Sequence, residues 1–158
     1  MKMIKSNIKW MALLLFMPFV TACSWDDLPA YGDAEISAVQ FYYRWASTTD
    51  TDPITGEPVV EEQQLTTSSS VDSDAATIEA TVTVPDASGD FTETVRSEVT
   101  TSQLWGTVTV STGARITPVD GSADLGTPDD WSETRKYKVT AADGSTKTWS
   151  ITIVEFNK

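Results

Sequence analysis

The sequence predicts an all-β fold, two antiparallel sheets packed face to face with about seven strands in all. Three observations carry this expectation. Threonine supplies 23 of the 136 residues from Cys23 onward, and threonine, valine, isoleucine and aromatic side chains suit a pleated, half-buried surface. Several segments alternate apolar and polar residues with period two, and none keeps the 3.6-residue period of a long helix. The segments between them are rich in Asp, Gly, Pro and Ser, the residues that make turns.

Residues 1–22 read as a lipoprotein signal peptide rather than as part of the fold. Lys2, Lys5 and Lys9 form a positive start, and residues 11–20 form an apolar stretch of about ten residues, too short to span ~30 Å of hydrocarbon as a helix. Val20-Thr21-Ala22-Cys23 resembles the bacterial lipobox, which implies cleavage before Cys23 and lipid on its sulfur and new amine. The sole cysteine thus lies where a lipid is needed, and one cysteine forms no internal disulfide. Ser24, Trp25, Asp26 and Asp27 follow, resembling the acidic signal that sends many Bacteroidetes lipoproteins to the outer face of the outer membrane. Residues 23–34 are polar and turn-rich and read as a lipidated tether. Eleven extended residues reach ~35 Å at most.

The domain itself is expected over residues 35–158. A first strand over 39–46 places Val39, Phe41, Tyr43 and Trp45 on one face and Gln40, Tyr42 and Arg44 on the other. Ile36 is one step out of phase, which a bulge repairs. A hairpin tip over 50–56, with Asp52-Pro53 and Gly56, leads into a second strand over 58–65. A short strand is expected over 69–71. Ile78, Ala80, Val82 and Val84 alternate with Thr77, Glu79, Thr81 and Thr83. Leu104, Gly106, Val108 and Val110 alternate with Trp105, Thr107, Thr109 and Ser111. Residues 115–118 form another short strand, ended by Pro118. Arg135, Tyr137, Val139 and Ala141 alternate with Thr134, Lys136, Lys138 and Thr140. Asp143-Gly144 turns that strand into one bearing Trp149, Ile151 and Ile153, since Asp-Gly between alternating runs is a strong hairpin signal. Short strands with frequent turns point to an immunoglobulin-like sandwich.

The pattern around Ile78–Pro85, Thr107–Ser111, Gly113–Pro118 and Tyr137–Trp149, with its ending VTAADGSTKTW, resembles the small Ig-like, cadherin-like β-sandwich domains of Bacteroidetes surface lipoproteins. Several of these are known only as domains of unknown function. The resemblance implies a sandwich and an extracytoplasmic role and carries over no catalytic residue. Two segments depart from it, a long connection over 86–98 and a small insertion over 129–133. Loops on a rigid sandwich are where binding diversifies.

Composition excludes several functions. The chain holds 11 basic and 23 acidic residues and no histidine. Residues 1–22 carry three lysines and no acid, so the remainder has 8 basic and 23 acidic residues, a net of −15. Such a surface repels nucleic acid. Without histidine there is no His-containing triad and no His zinc site. No carboxylate pair is placed across a cleft, and the acidic pairs Asp50/Asp52, Asp72/Asp74 and Asp129/Asp130 read as turn residues rather than calcium ligands. No catalytic residue, metal or cofactor is therefore assigned, and a small hydrolase is the weakest reading.

The expected role is a lipid-anchored, non-enzymatic surface module that binds glycan or another surface protein. The alternative is a structural subunit of a surface complex or fimbria-like assembly, binding protein through a sheet edge. Trp45 and Trp149 are in phase with apolar residues and read as core. Trp105 falls on a polar face, Trp131 lies in the insertion, and Tyr42 lies on the first strand's other face. These three are the candidates for an exposed ligand-binding aromatic surface.

Overall fold

The computed structural model describes residues 31–158. The expectations placed on Cys23, Ser24, Trp25, Asp26, Asp27 and the rest of residues 1–30 lie outside the described residues.

Among the described residues, eight strands form two sheets. The three-stranded sheet has the order β2 (Pro58–Gln64), β1 (Ile36–Thr51), β5 (Trp105–Val110). The five-stranded sheet has the order β3 (Thr66–Asp72), β4 (Thr77–Thr83), β8 (Thr146–Asn157), β7 (Arg135–Thr140), β6 (Arg115–Val119). The expected all-β sandwich is present, with one correction: β4 and β8 pair in parallel, so the larger sheet is mixed. Alternation reports only which face of a strand is dry, and it is blind to a neighbour's direction.

The alternating phases hold. Val39, Phe41 and Tyr43 are buried on β1, and Ile78, Ala80 and Val82 on β4. Tyr137 and Val139 are buried on β7, and Trp149 and Ile151 on β8. Together they form one layer between the sheets, as the aligned inner faces of a sandwich do. The β1–β5 register shifts between Ile36 and Ala38. That bulge turns Ile36 into the core, where it is 1% exposed. The β7–β8 hairpin closes on Asp143-Gly144, with Ala141 N donating to Ser145 O at 2.8 Å and Gly144 at φ +89°. Only glycine adopts that conformation without a Cβ penalty.

Residues 31–35 are tied to this hairpin end. Asp143 N donates to Tyr31 O (3.2 Å) and Ser145 Oγ to Gly32 O (3.0 Å). Trp149 Nε1 donates to Ala34 O at 2.9 Å, and Lys147 Nζ pairs with Glu35 at 2.6 Å.

The free edge of β5 is covered by the β6–β7 connection. Gly126 N donates to Gly106 O (3.0 Å) and Asp129 N to Leu104 O (2.9 Å). Asp129 holds this segment together. Its carboxylate accepts from Asp130 N (2.7 Å) and Ala123 N (3.1 Å) and lies 3.0 Å from Arg135 Nε. Covering an edge in this way blocks strand-to-strand aggregation.

Candidate functional site

The three aromatic residues expected on an exposed surface do not form one. Trp131 is 2% exposed. The insertion that carries it folds inward, and the indole enters the inter-sheet layer beneath Gly106. There it meets Phe41 edge-on at 4.8 Å, stacks beside Tyr137 at 6.3 Å, and donates from Nε1 to Leu104 O at 3.1 Å. Its exposure is corrected because a large apolar ring seated in a loop is drawn into any space the sheets leave.

Trp105 and Tyr42 are brought together, since they are cross-strand partners on the outer face of the small sheet. Their rings stack at 4.4 Å, and the Arg44 guanidinium lies 3.8 Å over the Trp105 ring while its Nε bonds Glu62 at 2.9 Å. Tyr42 is half-buried. Trp105 is only 8% exposed, and its Nε1 is buried without an acceptor. Here too the expected exposure is corrected. Trp105 does face outward, but side chains on β1 lie over it.

The accessible aromatic surface is elsewhere. Trp45 belongs to the inner face of β1 yet remains half-buried. Beyond Tyr43 the inner face of β1 runs opposite the connection between β4 and β5 rather than opposite a strand. That connection contains a short helix, α1 (Glu93–Glu98), whose cap Thr92 accepts from Val95 N at 3.3 Å. Between this segment and β1 lies a groove of about 510 Å³. Trp45 packs against Phe91 at 5.6 Å and beside Tyr43 at 6.2 Å. The groove is lined further by the hydroxyl residues Thr48, Thr49 and Thr94 and by the carboxylates Asp90 and Glu98.

Burial pushes the Tyr43 phenol above its ordinary range, and the Glu98 charge adds to the effect. Glu98 therefore acts electrostatically on this end of β1. The sequence reading placed Trp45 in the core and did not single out the groove. The signal that could have found it is the unusual length of 86–98, the segment that forms the opposite wall.

The acidic pairs hold turns. Asp52 Oδ1 accepts from Ile54 N (2.8 Å) and Thr55 N (3.0 Å), Asp72 Oδ1 from Ala75 N (2.9 Å), and Asp130 Oδ1 from Ser132 N (2.9 Å). The backbone donors of Thr55 and Ile54 hold Asp52 below the usual carboxylate range, and Ser132 does the same for Asp130. Among the described residues no cluster of three metal-ligating side chains occurs, and no helix is long and apolar enough to cross a membrane.

A family model described as DUF5018-related matches residues 36–152. A crystal structure of a Bacteroides fragilis NCTC 9343 protein, described as "a putative secreted protein", is similar to this chain with 45% identity and a TM-score of 0.74. The match covers 82% of this chain and 100% of that one. No curated protein matches. Neither description names an activity.

Proposed function

The chain belongs to the DUF5018-related family, and from that premise we propose that it is an extracytoplasmic, non-enzymatic module that binds carbohydrate in the groove floored by Trp45. The observation that carries this reading is the half-buried indole of Trp45 set among hydroxyls and carboxylates. An indole face packs against the C–H face of a sugar ring, and hydroxyl and carboxylate groups bond its OH groups. Small-molecule sites likewise combine aromatic surface with convergent polar groups.

The location reading rests on the sequence and on the similarity to a protein described as secreted. In it, lipid on Cys23 holds the chain to the outer membrane, and Ser24, Trp25, Asp26 and Asp27 direct it to the outer face. The arrangement of the domain agrees with that role. Residues 31–35 are tied to the β7–β8 turn, and nine residue steps along β1 take Ile36 to Trp45, about 30 Å of strand. Residues 31–35 therefore lie at the opposite end of β1 from the groove.

The test is calorimetry of the purified protein against a panel of oligosaccharides. Trp45→Ala is expected to weaken binding at least about tenfold, while Trp105→Ala, on the opposite face of the small sheet, leaves it unchanged. If Trp45→Ala binds as tightly as wild type, the groove is not the site. Cys23→Ala should release the protein from membranes, and protease added to intact cells should digest the wild type.

A second reading is favoured by β2, the edge strand of the small sheet, where Val59 and Val60 are exposed. An unpaired edge of this kind accepts a strand from another protein. Val60→Lys would then abolish co-purification of a surface partner and leave glycan affinity intact.

A further inference from the structure

We infer that the groove selects amino sugars bearing a free ammonium group over their N-acetylated and carboxylated counterparts. This inference rests on the proposal that the groove binds carbohydrate, and it concerns only which carbohydrate.

Both ionisable residues lining the groove are acidic. Asp90 and Glu98 are exposed, and neither carboxylate is hydrogen-bonded to another described residue. Among the described residues no lysine or arginine lines it. The cations closest to it in the chain are turned to other work. Arg44, the residue before Trp45, points to the outer face of the sheet and pairs with Glu62 at 2.9 Å. Arg96, on α1 itself, donates from Nε to Pro85 O at 2.9 Å, with its guanidinium 3.9 Å from Glu93 and 4.0 Å from Asp86. Lys158 Nζ donates to Ser97 O at 2.9 Å.

The groove therefore presents, beside an indole face, two carboxylates that form no salt bridge among the described residues. An ammonium group held there gains from both features, through attraction to the carboxylates and through the quadrupole of the Trp45 ring. A sugar carboxylate meets like charge from the 86–98 wall and, among the described residues, finds no lining cation to pair with. N-acetylation removes the ammonium charge and leaves the ring, so an acetylated sugar keeps the stacking contact and loses the electrostatic one. The excess of acid over the whole domain works in the same direction at long range and is screened by salt.

The experiment compares three oligosaccharides of equal length by calorimetry on the purified protein: glucosamine, N-acetylglucosamine and galacturonate oligomers. The buffer is mildly acidic, so that the amine is protonated and ordinary carboxylates are ionised. The glucosamine oligomer is expected to bind about tenfold tighter than the acetylated one, with the galacturonate oligomer weakest. The double variant Asp90→Asn/Glu98→Gln should bring the first two together and leave the acetylated oligomer's affinity as it was. Asp72→Asn/Asp74→Asn, in the β3–β4 turn and outside the groove, is expected to change nothing.

Equal affinity for galacturonate and glucosamine oligomers would overturn the inference while leaving carbohydrate binding intact. So would a preference abolished as strongly by the Asp72/Asp74 variant, which would mark it as general charge attraction. An oligolysine peptide that binds through Trp45 more tightly than any sugar would overturn it in favour of a protein ligand. If no oligosaccharide binds at all, the carbohydrate reading fails, and this inference fails with it.

Discussion

Gly106→Ala tests the packing that distinguishes this sandwich. Gly106 lies on the inner face of β5 and does not adopt a left-handed φ, so the backbone there accepts alanine. At a compatible position that substitution normally stabilises a fold by about 0.4–1 kcal/mol, through the unfolded chain. Here the new Cβ would stand 2.9 Å from Cζ2 and 3.3 Å from Cη2 of Trp131, and 3.4 Å from Cε1 of Phe41. The closest of these is a contact that real side chains avoid, and the indole is held by its bond to Leu104 O and by Phe41 and Tyr137. Overpacking a filled core costs about 1–3 kcal/mol. The net expectation is a loss of about 1–2 kcal/mol, a fall in Tm of roughly 4–8 °C for a domain of this size.

Thermal and urea unfolding of four proteins measure it: wild type, Gly106→Ala, Trp131→Phe and the double variant. Trp131→Phe removes the benzo ring atoms that the new methyl meets. It costs stability alone, through lost burial and the loss of one of the two hydrogen bonds that Leu104 O accepts. In that background Gly106→Ala should become neutral or stabilising, giving a coupling of about 1–2 kcal/mol. Additivity within about 0.5 kcal/mol, or a higher Tm for Gly106→Ala alone, would refute the idea that the missing Cβ makes room for the indole.

Two further outcomes are expected. Asp129→Ala should cost about 2–3 kcal/mol by chemical unfolding, because it strips the acceptor from Ala123 N and Asp130 N and leaves Arg135, 15% exposed at its side chain, without its partner. Stability should also fall steeply in alkali. Burial, with the Asp129 charge adding, pushes the Tyr137 phenol up to about 12, whereas an unfolded tyrosine ionises near 10. Between those values the unfolded chain has lost its proton and the folded one has not. A contribution of about 2–3 kcal/mol, complete below pH 10, is thus lost as pH rises to 12. Tyr137→Phe should lack that part of the decline, and an identical alkaline profile for the variant would contradict it.

Strand phases were legible in the sequence, and coverage was not. Alternation placed Phe41, Val82, Val139 and Ile151 inside and Lys136 and Lys138 outside, because period two is a property of one strand alone. It also placed Trp105 on the outer face, where it is. What lies over a face depends on neighbours remote in sequence. Arg44 and Tyr42 reach Trp105 from another strand, and no pattern within residues 104–111 announces them. Trp131 was illegible for a related reason, since a loop residue has no periodicity to read. The available clue was Gly106. A glycine facing inward in a strand otherwise made of tryptophan, threonine and valine marks a place where another group approaches closely.

The groove arises from a mismatch of lengths. β1 has sixteen residues, while β3 and β4 have seven each. The five-stranded sheet covers the inner face of β1 through Tyr43, and the remaining inward positions, Trp45 and Ser47, need another cover. The 86–98 connection supplies it with Phe91 packed on Trp45 and Val95 against the core, but Thr94 and Glu98 beside them are polar and do not fill the space. A helix meant only to seal the sandwich would present an apolar stripe there. α1 has no fully buried residue, so it stands as a wall more than a lid. The indole consequently keeps part of its surface open at the end of β1 away from residues 31–35, on rigid strand rather than loop, the placement that holds a binding surface in fixed geometry.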